Sequence, residues 1–154
     1  MSKRGYEMNV ELRKVQLFLN WLKTKIYLDR ISSRAANRAV RRGEVYNCEL
    51  GTGIGSEESK KRPCVIVQRD SGNIHSPNVI VAPLTHTSSN LPIVVPIENK
   101  YDENGNLVLD GYVLAGNIVC VSKARLDNII TTLSKNEMKK IDKAISIALG
   151  INHY

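Results

Sequence analysis

The sequence predicts an α+β fold: a small, strongly bent antiparallel β-barrel with one C-terminal helix and a helical extension in front of it. Three observations point there. From Glu44 to Val121, short apolar runs alternate with turn-forming clusters, which is the spacing of a compact antiparallel sheet. Before and after that region, apolar residues recur instead at intervals of three and four. The charge also changes at Arg42. Residues 1–42 hold eleven Lys/Arg and three Asp/Glu, a net of +8; residues 43–154 hold eleven and twelve, a net of −1. The predicted organisation is a basic helical extension over 1–41 and a domain over 42–154.

The extension comes first. Met8, Leu12, Val15, Leu19, Leu22 and Ile26 make one face of a helix predicted from Glu7 to Arg30, with Phe18 and Trp21 widening it. Arg13, Lys14, Lys23 and Lys25 lie on the other side. The stripe is too short for a free coiled coil, so it is expected to pack on the domain or on a partner. A second short helix is predicted from Ser33 to Val40, where alanines favour it.

The domain opens with a strand over Glu44–Leu50, followed by a loop over Gly51–Lys61 with three glycines. Pro63 is tolerated at a strand start, and Cys64–Gln68 reads as a buried strand. Asp70-Ser71-Gly72-Asn73 is turn chemistry. Asn78–Leu84 is a second buried strand and His86–Asn90 a polar loop. Leu91–Ile97 carries Pro92 and Pro96, which suits an edge strand. Asn104-Gly105 marks a turn, and further strand is expected at Tyr112–Leu114 and Asn117–Val121. Ser122 can cap a short helix through Leu126. Ser134 and Glu137 form a capping box, Met138, Ile141, Ile145 and Leu149 an apolar stripe, and Gly150 a stop.

Composition removes several classes of function. His75, His86 and His153 are far apart and no Cys or His pair has metal-ligand spacing, so neither metal nor other cofactor is expected. Cys48, Cys64 and Cys120 each sit in an apolar run and are expected to be buried, reduced thiols. The apolar stretch Val15–Leu22 is too short and too polar to span a bilayer, and no secretory signal is present, so a cytoplasmic protein without a membrane partner is expected. The basic extension would attract polyanions, or only keep the chain soluble.

The chemistry-bearing residues cluster around the first loop. It ends in Lys60-Lys61-Arg62-Pro63, a basic cluster entering a strand, where a guanidinium fork matches phosphate oxygens better than an ammonium does. Thr85 offers a hydroxyl where the next apolar strand stops. Taken alone, these residues also fit a surface charge and a strand-end hydroxyl. His86 invites a general-base reading.

The strings R-G-E-V-Y, G-S-E ending in K-R-P, V-I-V-Q-R-D-S-G-N, S-P-N-V-I-V-A-P-L-T, L-P-I-V-V-P-I and S-K-A-R-L follow one another from Arg42 to Leu149. In that order the sequence resembles the MazF/PemK family of toxin ribonucleases from bacterial toxin–antitoxin systems. The resemblance implies an SH3-like barrel that pairs as a homodimer. It implies metal-independent cleavage of single-stranded RNA and neutralisation by an antitoxin protein. It also implies Arg62 and Thr85 as the catalytic pair. Ser56 corresponds to the loop serine, Lys60, Lys61 and His86 lie beside the pair, and Asn117 offers an amide to a base edge. It lends no support to His86 as the base. Val119 stands where the family often has arginine, which keeps open a second reading: a module that binds nucleic acid or protein without cutting. A gyrase poison of the CcdB type, which shares this fold, would need a C-terminal tryptophan, and the one tryptophan here is Trp21.

Overall fold

The computed structural model describes residues 11–151. Helix α1 runs over Leu12–Ala35. It is followed by strands β1 (Glu44–Glu49) and β2 (Lys61–Ile66), a short helix α2 (Asp70–His75) and strand β3 (Asn78–Thr85). Then come β4 (Val94–Pro96), β5 (Lys100–Tyr101), β6 (Leu107–Leu109), β7 (Tyr112–Leu114), β8 (Val119–Ser122) and β9 (Leu126–Thr132). Helix α3, Lys135–Ala148, closes the chain.

The main sheet is antiparallel, in the order β4-β7-β3-β2-β1-β9, with β8 also paired to β3. Its bend comes from β3. The first half of that strand, Asn78–Val81, pairs with β8, and its end, Leu84–Thr85, pairs with β7. The sheet curls without closing into a full barrel. β5 and β6 form a separate two-stranded ribbon, turned at Asn104-Gly105, where Gly105 adopts φ +78.

Strands β1, β2 and β3 are buried on both faces, which is why Cys64–Val67 and Val79–Leu84 are continuously apolar. One face carries Val45, Val65, Ala82, Leu84 and Val113 under Met138, Ile141 and Ala144 of α3. The other carries Tyr46, Cys48, Cys64, Ile66, Val79 and Val81, covered in part by Val40. The capping box predicted at Ser134 and Glu137 is formed, with both reciprocal bonds in place. Ser122 accepts from the Ala124 N–H and caps a 3-10 turn over Lys123–Arg125.

Several expectations are corrected. The predicted helix start at Glu7 lies outside the described residues. Further on, no second helix forms between Ser33 and Val40. Instead α1 continues to Ala35, and the chain then turns so that Arg38 can donate to the backbone oxygens of Leu126 and Asp127, a tertiary gain that overrides local propensity. The Asp70–Asn73 turn is the first part of α2. Leu91–Ile97 is a strand only over Val94–Pro96, because Pro92 favours a turn closed by Val94 N–H on Leu91 O. Asn117 ends a 3-10 turn, and the strand after it is Val119–Ser122. Cys120 is exposed, because β8 pairs only with β3 and that residue points outward, whereas Cys48 and Cys64 are buried as expected.

The apolar stripe of α1 is not its packing face. Leu12, Leu19, Leu22 and Ile26 are all more than half exposed. Apart from Val15, the less exposed positions are Trp21, Thr24, Leu28, Ile31, Ser32 and Ala35, on the other side of the helix. Trp21 seats on Gly51, where any side chain would overlap the indole, and Arg125 lies 5.3 Å from its ring centroid.

Candidate active site

Register places the first pair of candidate residues. Cys64 of β2 is paired with Pro83 of β3. Two residues further along each strand, and on the same face, stand Arg62 and Thr85. Arg62, Thr85 and His86 line one cavity of about 460 Å³ with Pro63, Thr87 and Asp110. Thr85 Oγ1 accepts from the Thr87 N–H at 3.2 Å, which leaves its own O–H free to donate into the cavity. Gly111, at φ +107, holds the Thr85 backbone: a Cβ there would overlap the Thr85 carbonyl oxygen.

The loop between β1 and β2 supplies the other wall. Its neck is closed by two backbone bonds, Leu50 N–H to Lys60 O (2.9 Å) and Lys60 N–H to Gly51 O (2.6 Å). Lys60 takes a left-handed φ of +67 to make them, which is uncommon for a residue with a Cβ. Beyond the neck, Arg62 Nε donates to Ser59 O at 3.2 Å, and Nη1 lies 2.5 Å from Glu58 Oε2. Glu58 Oε1 also accepts from Asn117 Nδ2 at 3.3 Å. Glu58, Ser56, Asn117, Val119 and Arg125 line a second cavity of about 620 Å³. The Glu58–Arg62 pair links it to the first.

Of the seven predicted site residues, the fold thus brings Arg62, Thr85 and His86 to one cavity and Ser56 and Asn117 to its neighbour. Lys60 and Lys61 line neither. Lys60 holds the loop neck, and Lys61 points away to pair with Asp127 of β9. His86 is largely exposed, with Nε2 2.8 Å from Asp110 Oδ1. Glu58, Asp110 and Arg125 are additions that the sequence reading did not single out. Glu58 carries a local signal, four residues before Arg62. Asp110 carries none, since it meets His86 only through the pairing of β7 with β3.

Below the site, Cys64 Sγ is within 3.7 Å of Arg62 O. Contact with the Cys48 thiol, together with burial, pushes the Cys64 thiol far above its ordinary value, so it stays an inert packing group. Among the described residues no group of three or more His, Cys, Asp or Glu could hold a metal ion.

Residues 41–149 match the family model described as PemK-like, MazF-like toxin of type II toxin-antitoxin system. The chain is 39% identical over 117 residues to Endoribonuclease MazF of Staphylococcus epidermidis, covering 75% of this chain and 95% of that protein. A solved mycobacterial endoribonuclease in complex with its cognate antitoxin is 31% identical, with a TM-score of 0.63 over 75% of this chain and all of that one. MazF from Deinococcus radiodurans shares the fold at 16% identity, with a TM-score of 0.62 over 73% of this chain and 98% of that one. The match over 41–149, together with a 39% identical relative aligned over three quarters of the chain, means that this chain belongs to the PemK-like, MazF-like toxins of type II toxin–antitoxin systems.

Proposed function

We propose that the chain is a sequence-selective endoribonuclease toxin that cuts single-stranded RNA without a metal and is neutralised by a cognate antitoxin. The observation that carries this reading is the juxtaposition of Arg62 and Thr85 at one cavity. Arg62 stabilises the negative charge that builds on phosphorus when the ribose 2′-OH attacks, and Thr85 donates its O–H to a phosphoryl oxygen. Ser56 and Asn117, with His86 on the far side, contact the flanking nucleotides. Single-stranded RNA exposes base edges that such donors can read. Val119, exposed in the cavity of Ser56 and Asn117, replaces a cation with an apolar surface and shifts the base preference. Lys60 and Lys61 contribute long-range attraction to the backbone rather than direct contacts.

The test is cleavage of a single-stranded RNA in EDTA. The expected products end in a 2′,3′-cyclic phosphate, or the 3′-phosphate it hydrolyses to, and a 5′-hydroxyl. Strict dependence on Mg²⁺, or 5′-phosphate ends, would sink the mechanism. The antitoxin is an acidic, partly disordered segment that folds as it covers the groove.

The working form is a cytoplasmic homodimer. An exposed apolar residue such as Ile129 on the edge strand β9 supports pairing, which hides such a surface. Light scattering at micromolar concentration is expected to give twice 17.2 kDa, and a monomer would count against it. No described helix is long and apolar enough to cross a membrane.

A further inference from the structure

Cleavage by 2′-OH attack needs a group that takes the 2′ proton and a group that gives one to the leaving 5′-oxygen. Arg62 and Thr85 are poorly suited to both tasks. A guanidinium stays charged throughout the physiological range, and an alcohol is a weak acid and a weak base. Two titratable side chains are held against them. Glu58 Oε2 is 2.5 Å from Arg62 Nη1 while its other oxygen holds Asn117. His86 follows Thr85, lines the same cavity as Arg62, and is oriented by Asp110 at 2.8 Å.

We propose that Glu58 is the general base and His86 the general acid of RNA cleavage, one on either side of the phosphate held by Arg62. This inference rests on the 2′-OH mechanism given above. The 2′-O–H proton passes to a Glu58 carboxylate oxygen as the 2′-oxygen bonds to phosphorus. The phosphorus–O5′ bond breaks, and the electron pair left on O5′ takes a proton from the His86 imidazolium. The products are the cyclic phosphate and the 5′-hydroxyl, and the two side chains exchange protons with water afterwards.

The chemistry of the two groups sets the direction. A carboxylate has lone pairs and no proton to give at neutral pH, whereas an imidazole can carry one across the physiological range. Position agrees. Arg62 Nε and Nη1 are tied to Ser59 O and Glu58, so the remaining guanidinium N–H groups are the ones left for phosphate. A phosphate seated there keeps its 2′-OH beside the carboxylate that shares the fork. The charged groups around Glu58 are Arg62, paired with it, and Glu57 and Arg125, which line the same cavity. Those facing His86 are Asp110 and, across the cavity, Arg62. Glu58 and Asp110 are therefore not spare surface charges: each orients a partner on which the reaction depends.

A leaving-group substitution separates acid from base. RNA with sulfur in place of the scissile 5′-oxygen leaves as a thiolate and needs no proton. Glu58→Gln keeps acceptor and size but cannot take the proton. It is expected to lower kcat by about 10²–10⁴ on both normal and 5′-thio RNA. Its affinity for an uncleavable 2′-deoxy analogue should stay within about threefold, and the acid-side limb of its pH–rate profile should disappear. His86→Gln is expected to lose a similar factor on normal RNA, to recover nearly wild-type rates on 5′-thio RNA, and to lose the alkaline-side limb. A wild-type rate in Glu58→Gln overturns the base assignment. A His86→Gln enzyme equally slow on both substrates overturns the acid assignment. Wild-type products ending in 5′-phosphate would instead overturn the underlying mechanism, a failure that the end-group analysis alone reveals.

Discussion

Arg62 is held from two directions, by a strand beneath it and by its own loop. Its backbone is paired with Cys48 of β1, and its side chain is tied back to Ser59 and Glu58. Such orientation matters because a donor aimed at a developing charge needs no reorganisation during the reaction. Arg62→Ala and Thr85→Ala are each expected to cut the rate by about 10²–10³ while the protein stays folded. Arg62→Lys should recover only part of the loss, because an ammonium lacks the planar fork. Wild-type rates in all three variants would place the site elsewhere. At this scale the legible residues are those next to punctuation. Pro63 marks the entry to β2, although the strand itself starts two residues earlier at Lys61, and the polar run after Thr85 marks where β3 ends, so both neighbours are readable from sequence. Asp110 is not, because its meeting with His86 depends on β7 pairing with β3. The exposure of Cys120 is hidden for a related reason: an apolar run shows that a strand exists but not that it lies at an edge with one face outward.

Elements were legible where local chemistry and tertiary packing agree. Helix α3 has both a capping box and a period, and it forms as expected. β9 is not legible in the sequence, because Leu126–Thr132 alternates poorly and joins β1 through register shifts. α2 reads as a turn from its own residues. It is extended to six residues because buried Asn73 bonds Gln68 O, and its carbonyl accepts from the buried Lys123. The capping residue Glu137 does more than the sequence suggested. It is buried, it accepts from the N–H groups of Ser134 and Glu98, and its carboxylate pairs with Lys100 at 2.6 Å. Burial alone would raise its pKa, but Lys100 and the N–H donors together outweigh burial and lower it. A folded pKa below the unfolded one means that the unfolded chain binds the proton more tightly. The stability from Glu137 is thus fully present above the ordinary carboxylate range and is lost as pH falls through the folded value. Glu137→Gln should destabilise the protein by about 1–3 kcal/mol at neutral pH, and the difference from wild type should shrink in acid. Thermal melts at pH 7 and below pH 4 measure this, and a gap that widens in acid would refute it.

At the scale of the whole molecule, the N-terminal segment divides into a basic helix and a short stretch packed on the core. Residues 1–42 carry a net +8 while residues 43–154 carry −1, so an attraction of the chain for polyanions would come from that segment. Its last residues are nevertheless part of the core. Val40 is 3% exposed in the cluster with Tyr46 and Cys48, Arg38 binds the carbonyls of β9, and the Ala36 carbonyl accepts from Lys123. A chain beginning at Arg42 would lose all three and open a gap over Tyr46, which costs roughly 1–3 kcal/mol for a buried aliphatic of this size. A chain beginning at Ala36 keeps them and removes α1 with most of the positive charge. Docking of α1 through Trp21 on Gly51 is a small contact beside the sheet and its two clusters, so this shorter chain should fold. It is expected to cut RNA more weakly. Each lost phosphate contact should also make the dependence of log affinity on log salt shallower by about 0.7. Near-UV circular dichroism and a salt titration of RNA binding decide between three roles. A folded protein with a shallower slope makes the extension an electrostatic arm. A folded protein with an unchanged slope makes its charge a solubility feature. A molten protein makes α1 an integral element, with the exposed Leu12, Leu19, Leu22 and Ile26 awaiting a partner.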